Sequence, residues 1–300
     1  MNITVRAPAK INLHLGVGAP REDGFHSLMT VYQAVGICDD VSVSRSAAWT
    51  LRVSVPEWID PDLVPLGGDN IVDRAASLLA AHHGVDAKAD VLITKSIPVA
   101  GGMAGGSADA AAALVALDRL WGLETSDADL LRIAADLGSD VPFALLGGTA
   151  LGTGHGELVE QVEDAATWWW VAVVSDEGMS TPAVYRHFDV LNPDAPVQPE
   201  SPDALLAALA SGDPLRLGET LHNDLQEAAI DLRPDLGDII DFGHAVGAVR
   251  GIVSGSGPTC VFLAESADAA REVAAAFGKN GHEVVLVTPG PVAGAHVVTY

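Results

Sequence analysis

The sequence predicts an α+β protein built from two domains. Period-2 alternation of apolar residues fills roughly the first 60 positions, the pattern of half-buried strands. Helix-like and strand-like segments then alternate to the end of the chain. The tail reads strand, strand, helix, strand, strand, an order that a helix packed on an antiparallel sheet explains. A length of 300 residues suits either one large domain or two ordinary ones. Hydrophobic residues make up 49% of the chain, enough for a packed core, and 31 glycines favour tight turns or ligand loops.

Residues 3–6 and 11–17 are predicted as strands, and an Asp23-Gly24 turn separates them from the apolar stretch 28–35. Short strands follow over 41–43 and 51–55. Asn70 caps a predicted helix over 71–82, with Ala75, Leu78 and Leu79 on one face. After a strand over 91–94, the stretch Pro98-Val99-Ala100-Gly101-Gly102-Met103-Ala104-Gly105-Gly106-Ser107 runs into an alanine-rich helix over 108–121. A helix over 126–137 opens on a serine cap and an acidic first turn, and 149–154 read as strand and turn. Trp168-Trp169-Trp170 begins a buried strand over 168–174, where the rings read as packing rather than a ligand platform. Residues 192–202 hold four prolines and form a connector. Helices are predicted over 203–210, 217–229 and 236–246. The tail gives strands over 249–254 and 259–264, a helix over 267–277, and strands over 283–288 and 295–299. A boundary between Gly154 and Trp168 gives domains 1–155 and 156–300.

The net charge is −24, from 16 basic and 40 acidic residues, with no run of three basic residues. Nucleic-acid and anionic-membrane partners are therefore disfavoured, since both demand a basic face. The two cysteines, Cys38 and Cys260, lie outside any CxxC or Cys/His ligand spacing, which predicts a reduced, cytoplasmic protein. The N-terminus has no charged segment followed by an apolar stretch and does not read as a signal peptide. The most apolar runs are too short to span a bilayer. The ten histidines, His82-His83 included, form no metal-ligand set.

The strongest local signal is the glycine-rich stretch that opens a helix. Its glycines let the backbone approach a ligand closely. The first helical turn adds unpaired N–H groups and a partial positive charge, together a phosphate cradle. Gly101 and Gly106 have the spacing of a P-loop, but Ser107 and Ala108 stand where Lys and Ser/Thr are required. GxGxxG is absent as well. Read alone, the segment is also compatible with a glycine-rich turn capped by Ser107.

Residues 98–108, from Pro98 through Ala108, resemble the second motif of the GHMP kinases, the superfamily named for galactokinase, homoserine, mevalonate and phosphomevalonate kinases. Ala7-Pro8-Ala9-Lys10-Ile11-Asn12-Leu13 resembles their first motif, and Ser254-Gly255-Ser256-Gly257-Pro258-Thr259 their third. Together with Arg21-Glu22-Asp23-Gly24-Phe25-His26 and Gly138-Ser139-Asp140-Val141-Pro142-Phe143, the first motif is similar to one branch. That branch phosphorylates a cytidine diphosphate methylerythritol on the methylerythritol phosphate route to isoprenoids. The resemblance runs from Ala7 to about Pro291. It implies a two-domain GHMP kinase architecture, with an N-terminal ribosomal-protein-S5-like domain and a C-terminal ferredoxin-like domain.

The resemblance also implies roles. Asp140 is the general base for the tertiary hydroxyl at carbon 2 of the methylerythritol, and Lys10 pairs with it and stabilises charge on the transferring group. Asn12, Phe25 and His26 contact the cytidine diphosphate, with Phe25 where relatives usually carry Tyr. Thr181, Pro182 and Tyr185 match a segment that closes over the cytosine. ATP is the co-substrate at 98–108, Mg2+ neutralises its charge, and Gly255, Ser256 and Gly257 buttress the phosphate loop. The residues alone allow other readings. Asp140 can cap the helix opening at Val141-Pro142, Thr181 can cap one opening at Pro182, and 254–259 can be a hairpin turn. Homoserine and mevalonate kinases share both glycine loops, and the segments 21–26 and 181–185, which concern the cytidine end, separate this chain from them. A catalytically silent sensor would have no need of Lys10 and Asp140.

Overall fold

The structure is a computed structural model that describes residues 2–66, 68, 70–175 and 177–299. A long hairpin organises its first half. Strands β1 (Asn2–Pro20) and β2 (His26–Ser44) pair antiparallel from Asn2↔Ser44 to Pro20↔His26. The separate strands predicted over 3–6 and 11–17 are one strand. Register shifts at Pro8/Ala9 and Asn12/His14 absorb the irregularity that the sequence suggested was a break. Val5, Ala7, Ala9, Ile11 and Leu13 put β1 into the core.

Strand β3 (Thr50–Ser54) precedes helix α1 (Ile71–His83) and strand β4 (Asp90–Thr94). The Asn70 side chain accepts the Val72 N–H, as the cap predicted, and α1 ends on Gly84 at φ 67°. Helix α2 (Gly105–Trp121) follows, then α3 (Asp127–Leu137), α4 (Val141–Leu146), β5 (Thr149–Thr153) and β6 (Leu158–Gln161). Ala108 and residues 110–113 of α2 are fully buried, and side chains this small let the helix lie close against β1 and β2.

The second half runs β7 (Trp168–Val173), α5 (Thr181–Leu191), α6 (Asp203–Ser211), α7 (Pro214–Thr220), β8 (His222–Asn223), α8 (Gln226–Leu232) and α9 (Asp235–Ala245). It closes with β9 (Arg250–Val253), β10 (Cys260–Ala264), α10 (Ala267–Lys279), β11 (Val285–Gly290) and β12 (His296–Val298). Four strands form an antiparallel sheet in the order β11-β7-β10-β9, the ferredoxin-like arrangement, with α10 packed across it through Ala270, Val273 and Phe277. The tryptophans are packing groups. Trp170 is fully buried and donates its indole N–H to Gln33 Oε1 at 2.8 Å, and Trp168 donates to Asp164 Oδ1 at 2.7 Å.

The sequence misplaced two features. The helix predicted over 217–229 is two helices, α7 and α8, with β8 between them. Asp213 caps α7 ahead of Pro214. Asn223 then turns the chain by donating to the carbonyls of Val253 and Gly255 while accepting the Leu225 N–H. The final strand was grouped with the tail sheet, yet β12 pairs antiparallel with β1 at Thr4↔Val298. The first sheet therefore runs β12-β1-β2-β4-β3 and also takes in β5, β6 and β8. This places β1 beside both halves of the chain, and the cleft lies there.

Candidate active site

A cleft of about 840 Å³ opens between the start of α2, the start of α4, the turn joining β1 to β2, helix α5 and the loop after β9. It is lined by Lys10, Asn12, Phe25 and His26 from the hairpin, and by Pro98, Ala100, Gly101, Gly102, Ala104, Gly105, Gly106 and Ser107 from the glycine-rich loop. Asp140, Thr181, Pro182, Tyr185, Gly255, Ser256 and Gly257 complete the predicted set there. Three predicted loop residues lie elsewhere. The side chains of Met103 and Ala108 are wholly buried in the core, and Val99 faces a smaller neighbouring pocket. Met103 and Ala108 anchor the loop from the core side.

The loop is held in an unusual backbone. Ala100 (φ 54°), Gly102 (φ 78°) and Ala104 (φ 57°) all lie in the left-handed region. Holding an alanine there costs roughly 1–2 kcal/mol. Gly102 has no alternative, since a Cβ would sit 2.2 Å from the Ser254 carbonyl oxygen. Ser254 Oγ donates to the Gly102 carbonyl at 3.2 Å, so the third motif braces the second. Ser107 is not the helix cap that the sequence suggested. The helix starts at Gly105, Ala104 occupies the cap position with no side-chain bond, and Ala108 N–H makes the first intrahelical contact, to Ala104 at 3.0 Å. The N–H groups of 105–107 are thus left without a capping side chain, at the positive end of α2.

Lys10 is anchored at both ends. Its backbone N–H donates to Met103 O at 3.1 Å, which ties β1 to the glycine loop. Its ammonium donates to Asn12 Oδ1 at 2.8 Å and lies 3.6 Å from Asp140 Oδ2 and 5.6 Å from the centre of the Tyr32 ring. Asn12 Nδ2 donates to Thr30 Oγ1 at 2.8 Å, and Thr30 in turn donates to His14 O. Gly255 (φ 57°) closes in from the second half, where a Cβ would come within 3.4 Å of Asn12 Oδ1 and 3.5 Å of Lys10 Nζ.

Asp140 does occupy the position ahead of α4, but its carboxylate makes no capping bond. It is directed at Lys10 instead and is 29% exposed to the cleft. Burial, and then the Asp140 charge, push the phenols of Tyr32 and Tyr185 upward, so both keep their protons at neutral pH. The capping role suggested for Thr181 is likewise absent. Ser180 holds the cap position, Thr181 is the first helical residue, and its hydroxyl is 2.8 Å from Ser256 Oγ.

At the far end of the cleft, the His26 ring lies 5.0 Å from that of Tyr185, and Phe25, 61% exposed, lies 5.1 Å from His155. Tyr32, His155, Arg186 and Asp189 are among the lining residues that the sequence reading missed. A lone arginine beside Tyr185 in so acidic a chain was a usable signal. Tyr32 and His155 reach the cleft only through pairing of distant segments, whereas Asp189 follows Tyr185 by about one turn of α5.

A pocket of about 330 Å³ adjoins the cleft and shares Pro98, Ala100 and 104–107 with it. Leu63, Val64, Pro65 and Ile71 make it largely apolar. Beneath it the Lys95 ammonium donates to the Asp39 carboxylate and, at 2.7 Å, to Asp109 Oδ2. Asp39 also accepts the N–H groups of Ser96 and Ile97. Burial raises the Asp109 carboxyl well above the usual carboxylate range, although Lys95 opposes the shift. Asp39 is the better supplied with donors of the two carboxylates.

The family model described as GHMP kinases N terminal domain matches residues 70–148, and GHMP kinases C terminal matches 205–283. A 4-diphosphocytidyl-2-C-methyl-D-erythritol kinase from a Nocardioides species is 68% identical over 99% of this chain and all of its own length. The kinase of the same name from Thermobifida fusca is 52% identical over 99% of this chain and 98% of its own. This chain belongs to the 4-diphosphocytidyl-2-C-methyl-D-erythritol kinase family of the GHMP kinases. A crystal structure of a 4-(cytidine 5'-diphospho)-2C-methyl-D-erythritol kinase superposes with a TM-score of 0.78 at 32% identity, covering 98% of this chain and 100% of the other. A homoserine kinase from Cytophaga hutchinsonii shares the fold of this GHMP kinase, with a TM-score of 0.76 at 21% identity over 99% and 97% of the two chains. Among the described residues of the kinase, no helix is long and apolar enough to cross a membrane, and no three His, Cys, Asp or Glu side chains gather to hold a metal ion.

Proposed function

We propose that this GHMP kinase transfers the γ-phosphoryl group of ATP to the 2-hydroxyl of 4-diphosphocytidyl-2-C-methyl-D-erythritol, giving the 2-phosphate and ADP. The observation that carries the reading is the Lys10–Asp140 pair. It sits 3.6 Å apart in a cleft that contains both the uncapped glycine loop and the His26–Tyr185 ring pair. Asp140 spends no hydrogen bond on its helix, so its carboxylate is free to accept the proton of the acceptor hydroxyl. That oxygen then bonds to the γ-phosphorus as the bond from γ-phosphorus to the bridging oxygen breaks, and ADP leaves. Lys10 stabilises the charge on the equatorial oxygens, and Asn12 orients Lys10.

The N–H groups at the start of α2 hold the triphosphate, and the apolar pocket beside the loop takes the base. Gly255, Ser256 and Gly257 press on the loop from the other side. Mg2+, when bound with ATP, would supply charge neutralisation on the triphosphate. His26, Tyr185 and Phe25 hold the cytosine, Thr181 and Pro182 shape the wall behind it, and Arg186 lines the cleft to meet the diphosphate. Residues 1–155 supply the ATP loop and the reacting pair, and 156–300 supply the closing face. The free thiols of Cys38 and Cys260 suit work in a reducing cytoplasm.

A coupled ADP-release assay with Mg·ATP tests the reaction. The acceptors compared are 4-diphosphocytidyl-2-C-methyl-D-erythritol, homoserine and mevalonate. Turnover confined to the cytidine compound is expected. Turnover with homoserine or mevalonate would leave the phosphate side intact and overturn the cytidine side. ATP binding without turnover on any acceptor would favour a sensor.

A further inference from the structure

His26 is 8% exposed, and its ring is held on three sides. Tyr185 lies against it at 5.0 Å, and Phe188 meets it edge-on at 6.3 Å and 80°. Asp189, four residues after Tyr185 and so on the same face of α5, places Oδ1 at 2.8 Å from His26 Nε2. An ionised carboxylate only accepts hydrogen bonds, so Nε2 carries the proton of this pair. A neutral imidazole has a single N–H, which leaves Nδ1 as a bare acceptor. Among the described residues nothing donates to that nitrogen, although His26 lines the cleft.

We propose that Asp189 is a positioning residue that sets base specificity. By fixing the tautomer of His26, it makes the site accept a 4-aminopyrimidine and reject the 4-oxo counterpart. The inference rests on the cytidine reading of this end of the cleft and deepens it. The exocyclic amino group of cytosine donates to the bare Nδ1. The C4 carbonyl of uracil would face it lone pair to lone pair, and a buried acceptor left without a donor is where polar sites discriminate most sharply. Neither His26 nor Asp189 touches the reacting hydroxyl in this scheme, so the effect belongs to substrate binding rather than to the chemical step.

The test compares wild type, Asp189→Ala and Asp189→Glu on the cytidine and uridine diphosphate esters of methylerythritol, with Tm confirming that each variant folds. In Asp189→Ala the KM for the cytidine ester is expected to rise about 10- to 100-fold. kcat and the KM for ATP should move less than about threefold, and the cytidine-over-uridine preference in kcat/KM should shrink by about tenfold or more. Asp189→Glu should recover much of the preference. Nitrogen-15 NMR of the histidines should show the Nε2–H form of His26 in wild type and a mixture in Asp189→Ala. If Asp189→Ala does not fold, Asp189→Asn and the wild-type spectrum decide the matter. A wild-type enzyme idle on the cytidine ester would overturn the assigned reaction and this role together. Normal wild-type turnover with an unchanged base preference in the variant, or an Nδ1–H tautomer in wild type, would overturn this role alone.

Discussion

Lys10 and Lys95 are both buried, at 8% and 4% exposure, and both face aspartates, yet they are built for opposite purposes. Lys95 touches two carboxylates whose side chains are 0% and 5% exposed, and one of these also takes two backbone N–H groups. The cluster joins β2, the end of β4 and α2, and so clips the helix that carries the glycine loop to the sheet. Lys10 stands 3.6 Å from a carboxylate that is 29% exposed and opens on the cleft. A buried cation in contact with buried counter-ions is a fastening. One whose counter-ion is held at arm's length beside solvent is available to a ligand.

The sharpest way to break the comparison is to remove the fastening. Lys95→Met leaves a buried carboxylate charge without its cation and is expected to cost about 3–5 kcal/mol of stability by denaturant titration. A loss under about 1 kcal/mol would show that the cluster is not a clip. Lys10→Met should do the reverse. Turnover is expected to fall about 10²–10³-fold with Tm nearly unchanged, because Asp140 can turn to solvent.

The protonation state of the clip gives a pH test. The folded Asp109 carboxyl is raised above its unfolded value of 3.8 by burial. A raised group contributes stability that is fully present below the unfolded value and is lost as pH rises through the folded one. Asn mimics the protonated acid and does not titrate. The stability of Asp109→Asn relative to wild type should therefore climb with pH above about 4, by up to about 1.4 kcal/mol per pH unit, until the folded group ionises. A flat difference between pH 5 and 8 would mean that Asp109 is already charged in the fold. The smallest effect is expected at Tyr32, a cleft residue whose phenol feels the Asp140 charge. Tyr32→Phe should lower kcat by up to about tenfold, the worth of one hydrogen-bonding group.

The two lysines also mark what the sequence could reveal. Lys10 was legible because its motif is local: Lys10 and Asn12 stand two residues apart within the continuous stretch 7–13. Asp140 was legible as a position, but only the folded structure distinguishes a capping carboxylate from one turned to Lys10. The Lys95 cluster was invisible, since Asp39, Lys95 and Asp109 come together only when β2, β4 and α2 pack. His155 escaped for the same reason, and Asp189, although one helical turn from Tyr185, meets His26 only when α5 comes to the start of β2. The fold class followed from periodicity, whereas the return of β12 to β1 did not, because a short apolar strand carries no label for its partner. The split of the helix predicted over 217–229 depended on Asn223, whose carbonyl partners at 253 and 255 are distant in sequence.

The assignment of the reacting pair rests most directly on Asp140. The decisive measurement is kcat for Asp140→Asn at saturating Mg·ATP and 4-diphosphocytidyl-2-C-methyl-D-erythritol, with Tm taken on the same preparation. The expected result is a fall of at least about 10²-fold, up to about 10⁴-fold, with Tm within a few degrees of wild type. Turnover near that of wild type would remove Asp140 from the chemistry and leave the Lys10 site without its base.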